Sequence, residues 1–304
     1  MRPNADNTVA VIVTYHPEGN FEERVARISS QVRHTVIIDN GSSPTEIESI
    51  GNVCRALSTV ESAFNVRNLG IATALNQGIR RALELGGQWI VTFDQDSVPV
   101  PYLLDAFAVI YDSYPEPEKI GVIGCNFRDS RTGMNAVAHS PGTLWRKAEA
   151  VITSGSIFPV RAIKKAGVFR DDFFIDFVDH EFCFRLQRYG FDVLQSSAPL
   201  LEHTLGAATI VNGLGSQRLV LRHAGPLRRY FVARNALLTA RCYFFQHVRW
   251  FVRHLSGIFL VDPLIRIPLE KQNTARKLFA VLLGTLDAIR GKTGFPDYRV
   301  LLKL

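Results

Sequence analysis

Asp94 and Asp96 sit two residues apart at the end of the apolar run Trp89-Ile-Val-Thr-Phe. Carboxylate oxygens are the ligands that Mg²⁺ and Mn²⁺ prefer, and Mg²⁺ is usually shared with substrate phosphates. An acidic turn is the commonplace alternative, and the strand end favours the metal. Five acids crowd residues 171–185 among large aromatics, where a helix begins. Asp179 and Glu181 fall in its first turn, where the helix dipole stabilises negative charge. Capping accounts for some of these acids, but not for Asp172, Asp176 and Asp179 together. A carboxylate beside apolar rings is the environment that tunes a general base. Asp39, before Asn40-Gly41-Ser42, can accept a hydrogen bond from the imino N–H of a nucleotide base, or simply begin an Asn-Gly turn. Asn68-Leu-Gly-Ile-Ala-Thr-Ala-Leu-Asn76 opens a helix after a glycine, and its N–H groups and amides suit a base, ribose or diphosphate. His203 ends a later strand, where a lone histidine is more often a hydrogen-bonding residue than a metal ligand.

The elements that position these residues follow from hydrophobic periodicity. Residues 8–14 and 35–39 are continuous β-branched runs, which predict buried parallel strands. The spacing predicts helices over 21–30, 45–52 after Pro44, 71–85 and 101–114, and further strands over 89–93 and 120–124. Alternating strands and helices mean an α/β domain on a mostly parallel sheet. Ligands on such sheets bind at the carboxyl ends of the strands, which nominates Thr14-Tyr15, Asp39-Asn40 and Asp94–Asp96. Later, 152–159 reads as a strand, 161–166 and 180–189 as helices, and 192–195 and 199–203 as two short strands. A glycine-rich loop (Gly206, Gly213, Gly215) precedes a helical, aromatic and basic region, with 275–290 a further helix. The boundary is placed near residue 215, giving an α/β domain over 1–215 and a basic helical region over 216–304.

The chain has 304 residues and is 47% hydrophobic and 21% charged, which excludes disordered, collagen-like and disulfide-rich classes. Its net charge of +7 is unevenly spread. Residues 1–200 carry 19 Lys and Arg against 23 Asp and Glu, whereas 201–304 carry 16 against 5. The basic part wants an anionic partner. Cys54, Cys125, Cys183 and Cys242 form no C-x-x-C pair, which argues against zinc or redox motifs and suits a reducing cytosol. Neither a signal peptide nor a membrane-spanning run is recognisable, so a cytoplasmic location is expected.

The succession Thr14-Tyr15-His16, Asp39-Asn40-Gly41-Ser42, Asn68-Leu69-Gly70, Asp94-Gln95-Asp96, Val178-Asp179-His180-Glu181 and His203 resembles family 2 of the nucleotide-sugar glycosyltransferases. The resemblance covers roughly residues 8–250 and implies a GT-A fold, to which the basic helical region read from composition adds a C-terminal extension. Thr-Tyr-His-Pro, Phe-Asp-Gln-Asp-Ser and Phe-Ile-Asp-Phe-Val-Asp-His-Glu-Phe-Cys are similar to bacterial rhamnosyltransferases of polysaccharide assembly. The resemblance implies that Thr14, Tyr15 and Asp39 hold the base and ribose, with Asn68 and Asn76 close by. Asp94, followed by Gln95, would face the ribose or donor sugar. Asp96 and His203 would bind a divalent metal, Mg²⁺ or Mn²⁺, and Asp179 would be the catalytic base. Family members often carry Glu-Asp where this chain has Val178-Asp179, and Asp176 is the candidate for the missing acidity. From position alone, Trp145 and Ser154 are placed near the acceptor. The implied reaction is an inverting transfer of L-rhamnose from dTDP-L-rhamnose to a lipid-linked saccharide.

Residues 218–254 interleave eight arginines with aromatics, a pattern that suits an anionic membrane interface. Single-stranded nucleic acid is the less favoured partner, because every candidate site lies in the acidic half. Packing on the catalytic domain, or a homodimer contact, is the structural alternative. The expected location is thus peripheral, on the cytoplasmic face of the inner membrane. UDP-hexose and UDP-galactofuranose are the alternative donors, since a thymine methyl is worth only about 1 kcal/mol. A nucleotide sensor without chemistry is the alternative from another class, but a sensor needs no base.

Overall fold

Val9, Ala10, Val11 and Ile12 are almost wholly buried, as a strand covered on both faces requires. They belong to β1 (Thr8–Thr14), which pairs in parallel with β2 (His34–Asp39) and β4 (Trp89–Asp94). The computed structural model describes residues 1–130, 133–138, 142–203, 208–212 and 218–296, with 208–212 and 218–222 described by backbone alone. Helices α1 (Phe21–Ser29), α2 (Pro44–Ala56) and α3 (Ile71–Glu84) alternate with β1, β2, β3 (Val60–Phe64) and β4. Then follow β5 (Val98–Pro99), α4 (Leu103–Ser113), β6 (Ile120–Asp129), β7 (Trp145–Lys147), β8 (Ser156–Pro159), α5 (Val160–Ala166), α6 (Val178–Arg188) and β9 (Asp192–His203).

The strand order is β3-β2-β1-β4-β8-β6-β9-β5, with β7 also on β9. The run β3-β2-β1-β4 is parallel, as is β6 with β9, while β8, β5 and β7 pair antiparallel. The sheet is therefore mixed beyond its parallel first half. Because β8 runs antiparallel between β4 and β6, the carboxyl ends of β1, β2, β4, β6 and β9 all reach the same edge. That edge carries Thr14, Asp39, Asp94, Asp129 and His203.

Three strands escape the sequence pattern. β3 is an edge strand with only Val60 fully buried, so Glu61 and Ser62 hide its alternation. β5 and β7 are too short to show a period. The two strands expected over 192–203 are one, irregular against β6 where Asn126 and Ser196 satisfy the displaced backbone groups.

The chain divides into two units, Met1–Arg170 with Asp179–Thr204, and Asp171–Val178 with Leu205–Leu304. The expected boundary near 215, with Gly206, Gly213 and Gly215, lies outside the described residues. In the second unit, β10 (Ala208–Asn212) and β11 (Arg218–Arg222) form an antiparallel pair, which corrects the expectation of helix from residue 218. The consecutive apolar residues Leu219, Val220 and Leu221 suit a strand as well as a helix. Helix α7 (Pro226–Tyr243) follows, then α8 (Val248–Ser256), which widens into a π-helical stretch Gly257–Arg266 around Pro263. Short α9 (Ile267–Glu270) and α10 (Thr274–Ile289) complete the unit. Tyr230, Phe231 and Ala280 form a core between α7 and α10, joined by Leu227, Leu283, Phe174 and Ile175.

Helix α7 is not the surface helix its arginines suggested. Arg229 and Arg234 are buried, Arg229 against Asp262 and Glu270 at 2.5 Å each. Lys277 on α10 is buried on Glu270 at 2.5 Å. Buried cations need partners, so part of the basic excess is neutralised inside the unit.

Candidate active site

Asp94 closes β4, and the turn that follows places Asp96 opposite His203 at the end of β9. Asp96 Oδ1 lies 3.2 Å from His203 Nδ1, and Asp94, Asp96 and His203 each offer a ligand atom within 4.8 Å of the others. Asp96 is 42% exposed and His203 only 9%, so the group has a wet side and a buried side. The turn is held from beneath: the Asp94 N–H donates to Ser154 Oγ at 3.1 Å, and Ser154 Oγ lies 2.5 Å from Ser97 Oγ. Ser97 Oγ is in turn 3.3 Å from His203 Nδ1, and Phe127 stands edge-on to the imidazole. Burial by itself lowers the His203 pKa, but the hydrogen bond and charge of Asp96, then Asp94 and Asp129, outweigh it and raise the imidazole above its ordinary value. Two carboxylates and one imidazole are a hard, oxygen-rich donor set that suits a divalent cation.

Thr14, Asp39, Asn68 and Asn76 come to the same strand edge, but their polar atoms serve the loops. Asp39 is fully buried, its carboxylate accepting from Thr14 Oγ1 at 2.9 Å, Ser42 Oγ at 2.5 Å, and the Gly41 and Ser42 N–H groups at 3.1 and 2.9 Å. These four bonds fill its lone pairs, so a base N–H must take over one of them to be bound. Gly41 has a φ of +95°, and a Cβ there would lie 2.7 Å from the Arg67 carbonyl carbon, so only glycine lets the 67–68 backbone close over this turn. Asn68 Oδ1 accepts from the Gly70 N–H at 2.8 Å and from Asn40 Nδ2 at 3.0 Å, shaping the entry to α3. Asn76, expected close to the nucleotide, bonds the protein's own backbone. It is fully buried, and its amide pairs in both directions with the Phe169 backbone, at 2.8 and 2.9 Å. Thr14 is likewise buried and spends its hydroxyl on Asp39.

Tyr15 and Gln95 remain at the surface of this edge. Tyr15 is 46% exposed, and its N–H donates to Gln95 Oε1 at 2.7 Å. His16, with a φ of +51°, donates its N–H to Ser42 Oγ and sets Nδ1 2.8 Å from Glu46 Oε2. Glu46 also closes the capping box of α2, and the Ser43 hydroxyl and N–H with His16 draw its carboxyl down to about 2. This loop thus ties β1, β2 and β4 together. Glu46 and Ser42 were missed as site-shaping residues, although Ser43-Pro-Thr-Glu46 carries the capping signature.

Asp179 lies in the first turn of α6 with its side chain 20% exposed. Burial pushes its carboxyl up, but the charge and hydrogen bond of His180 and two backbone N–H groups outweigh that and hold it below the usual range. His180 Nδ1 is 2.7 Å from Asp179 Oδ1. Neighbouring Glu181 is taken by Arg185 at 2.9 Å, and burial pushes the Cys183 thiol up to about 12, so neither competes as a base or nucleophile.

Each of the three residues expected near the acceptor has protein partners of its own. Ser154 is buried beneath the Asp94 turn. Trp145 pairs with Ser196, seven residues before His203 on β9, on the order of 20 Å away. Its ring packs edge-on against Tyr114, and its N–H donates to Ser113. Asp176 belongs to the second unit, where Arg228 binds its carboxylate at 3.0 to 3.2 Å.

Residues 9–157 match the family model "Glycosyl transferase family 2". The chain is 28% identical over 317 residues to the dTDP-rhamnosyl transferase RfbF of Shigella flexneri, covering 96% of this chain and 98% of that protein. Among solved structures, it is similar to the mannosyltransferase PcManGT from Pyrobaculum calidifontis, in complex with GDP-Man and Mn²⁺, with a TM-score of 0.53 and 14% identity over 96% of this chain and 88% of that one. It is also similar to S. aureus TarS 1-349 in complex with UDP-GlcNAc, with a TM-score of 0.55 and 13% identity over 94% and 92% of the two chains. Those likenesses establish the GT-A fold. The family match begins one residue into β1 and runs into β8, spanning the strand ends that gather Thr14, Asp39, Asp94 and Asp96, and the rhamnosyl transferase aligns onward past His203; the chain is a nucleotide-sugar glycosyltransferase whose residues 9–157 carry the family 2 pattern.

Proposed function

We propose that this glycosyltransferase moves L-rhamnose from dTDP-L-rhamnose to a hydroxyl of a lipid-linked saccharide, in the assembly of a surface polysaccharide. The observation that carries the reading is the end-to-end similarity to a dTDP-rhamnosyl transferase, in a chain whose strand ends assemble Asp94, Asp96 and His203. That donor set fits Mg²⁺ or Mn²⁺, and such an ion when bound supplies positive charge against the departing nucleoside diphosphate. Asp96 and His203 would hold it, and Asp94 would face the ribose or donor sugar. Tyr15 and Gln95 offer the exposed surface against which the nucleoside rests. Asp179 takes the proton from the acceptor hydroxyl as that oxygen attacks the anomeric carbon from the face opposite the diphosphate. A single displacement inverts the centre, so a β-L donor gives an α-L linkage.

The second unit favours work at an anionic membrane. No helix among the described residues is long and apolar enough to cross a bilayer. Yet Phe245 just before α8, and Val248, Val252 and Leu264 along α8 and its π-helical continuation, are exposed beside exposed Arg249 and Arg253. Exposed apolar side chains flanked by arginines suit an interfacial helix that lies on the cytoplasmic leaflet without spanning it.

The test is release of nucleoside diphosphate from dTDP-L-rhamnose, UDP-glucose, UDP-galactose, UDP-galactofuranose and GDP-mannose, with and without EDTA. Metal-dependent turnover of dTDP-L-rhamnose alone is the expected result. Turnover of a UDP-sugar instead keeps the chemistry and overturns the rhamnose donor.

A further inference from the structure

The backbone that leads into α6 is held in a conformation its residues resist. Phe174, Asp176 and Phe177 have φ values of 63°, 61° and 62°, a left-handed region that bulky side chains rarely enter. Three such residues within four positions persist only where their surroundings over-determine them. Residues Asp171–Val178 belong to the second unit, and so does the group that over-determines them. Asn235 Nδ2, on α7, donates to the carbonyl oxygens of Phe173, Ile175 and Asp176 at 2.9, 2.9 and 3.0 Å. Left-handed turns bring these carbonyls to one side, where a single amide nitrogen meets all three.

The amide is itself oriented. Arg234 Nε donates to Asn235 Oδ1 at 3.0 Å, which claims the oxygen and leaves the N–H bonds for the strap. Arg234 Nη2 donates to the Asp172 carbonyl at 3.1 Å, and Nη1 to the Gly294 carbonyl. The guanidinium lies over Tyr230 and Phe231, with centroids 5.4 and 4.9 Å away. Arg234 and Asn235 are both fully buried. Apart from the Arg234 bond to Gly294, the side-chain hydrogen bonds of the pair go to the strap or to each other.

We propose that Asn235, oriented by Arg234, is a positioning residue for the transfer: it holds the left-handed strap that fixes the start of α6, whose second residue is Asp179. This rests on the reading of Asp179 as the base. The contribution of Asn235 thus runs along the backbone, through Val178 into Asp179.

The test is a double-mutant cycle of Asn235→Ala and Asp179→Asn, with turnover read as nucleoside diphosphate release from dTDP-L-rhamnose and affinity read by titrating dTDP with Mn²⁺. Asn235→Ala is expected to lower kcat by about 10- to 100-fold, the scale of a displacement near 1 Å, with dTDP affinity within about twofold. In the Asp179→Asn background the same change should cost less than about twofold more, because both act through one step. A kcat within about threefold of the parent, a loss that multiplies in full on Asp179→Asn, or a parallel loss of dTDP affinity would overturn the proposal. If Asp179→Asn keeps more than about a tenth of kcat, the base assignment itself has failed, and the positioning role falls with it. Should Asn235→Ala not fold, Arg234→Lys keeps a cation over the rings but removes the Nε–H that orients the amide. It is expected to lose kcat in the same direction with dTDP affinity intact, and full kcat in that variant would equally sink the idea.

Discussion

Asp179 is ionised well before it is needed, because His180 and the backbone N–H groups at the start of α6 favour its charged form over the penalty of burial. A base must be deprotonated to act, and this carboxylate is so across the neutral range. Asp179→Asn should retain nucleotide binding, measured by titration with dTDP, and lose at least about tenfold in kcat, worth ~1.4 kcal/mol of barrier. The pH dependence should therefore come from another group. His203 has its pKa raised above the ordinary 6.5, and a divalent ion needs the neutral imidazole. Below that raised pKa, binding releases one proton, so the apparent affinity for Mn²⁺ should strengthen by up to about tenfold per pH unit and level off above it. Calorimetric titrations from pH 5.5 to 8.5 would show this rise, and His203→Ala should flatten it. At this scale the sequence was informative where chemistry alone explains a residue, as for Asp94 and Asp96 at a strand end. It was less so where the same residue type also builds loops, because burial decides whether Asp39 or Asn76 has atoms to spare.

At the scale of elements, close contacts between helix and strand hold the site's edge in place. Helix α3 approaches β1 at Gly78, where a Cβ would come within 2.2 Å of Val11 Cγ1. Gly78→Ala overpacks that contact and should cost about 1–3 kcal/mol despite the better helix propensity of alanine. A thermal melt should show a Tm lowered by several degrees, and Val11→Ala in the same chain should recover part of the loss. The parallel strands were legible because burial on both faces writes a continuous apolar run. β3 was not, because an edge strand is half exposed, and β9 read as two strands because its irregular pairing with β6 interrupts the alternation. The strand β11 read as helix because three apolar residues between two arginines have no decisive period.

For the whole molecule, the charge imbalance divides into two kinds of residue. Arg229, Arg234 and Lys277 are internal, whereas Arg249 and Arg253 are exposed beside apolar side chains on α8. Only the exposed set can answer to an anionic surface. The protein should float with vesicles containing phosphatidylglycerol and less so as salt rises, since screening shortens the reach of surface charge to about 8 Å at physiological ionic strength. Arg249→Glu with Arg253→Glu should abolish flotation while leaving donor hydrolysis intact. Flotation that survives both changes would take these arginines out of the membrane contact, and self-association in place of flotation would assign the exposed face to a second copy of the chain.

Composition, periodicity and the order of short polar motifs determined the α/β scaffold, the strand-end location of the acids and the reaction class. Those properties are local, since a buried strand or an acid at its end is written in adjacent residues. Tertiary structure alone decided that Asp96 meets a histidine 107 positions later, that the Asp39 carboxylate is saturated by its own turn, and that Asp176 answers to Arg228. It also decided that Asn235, far along the chain, holds the backbone before Asp179. Pairings of this kind depend on which polar atoms burial leaves facing each other, and no spacing in the sequence records that.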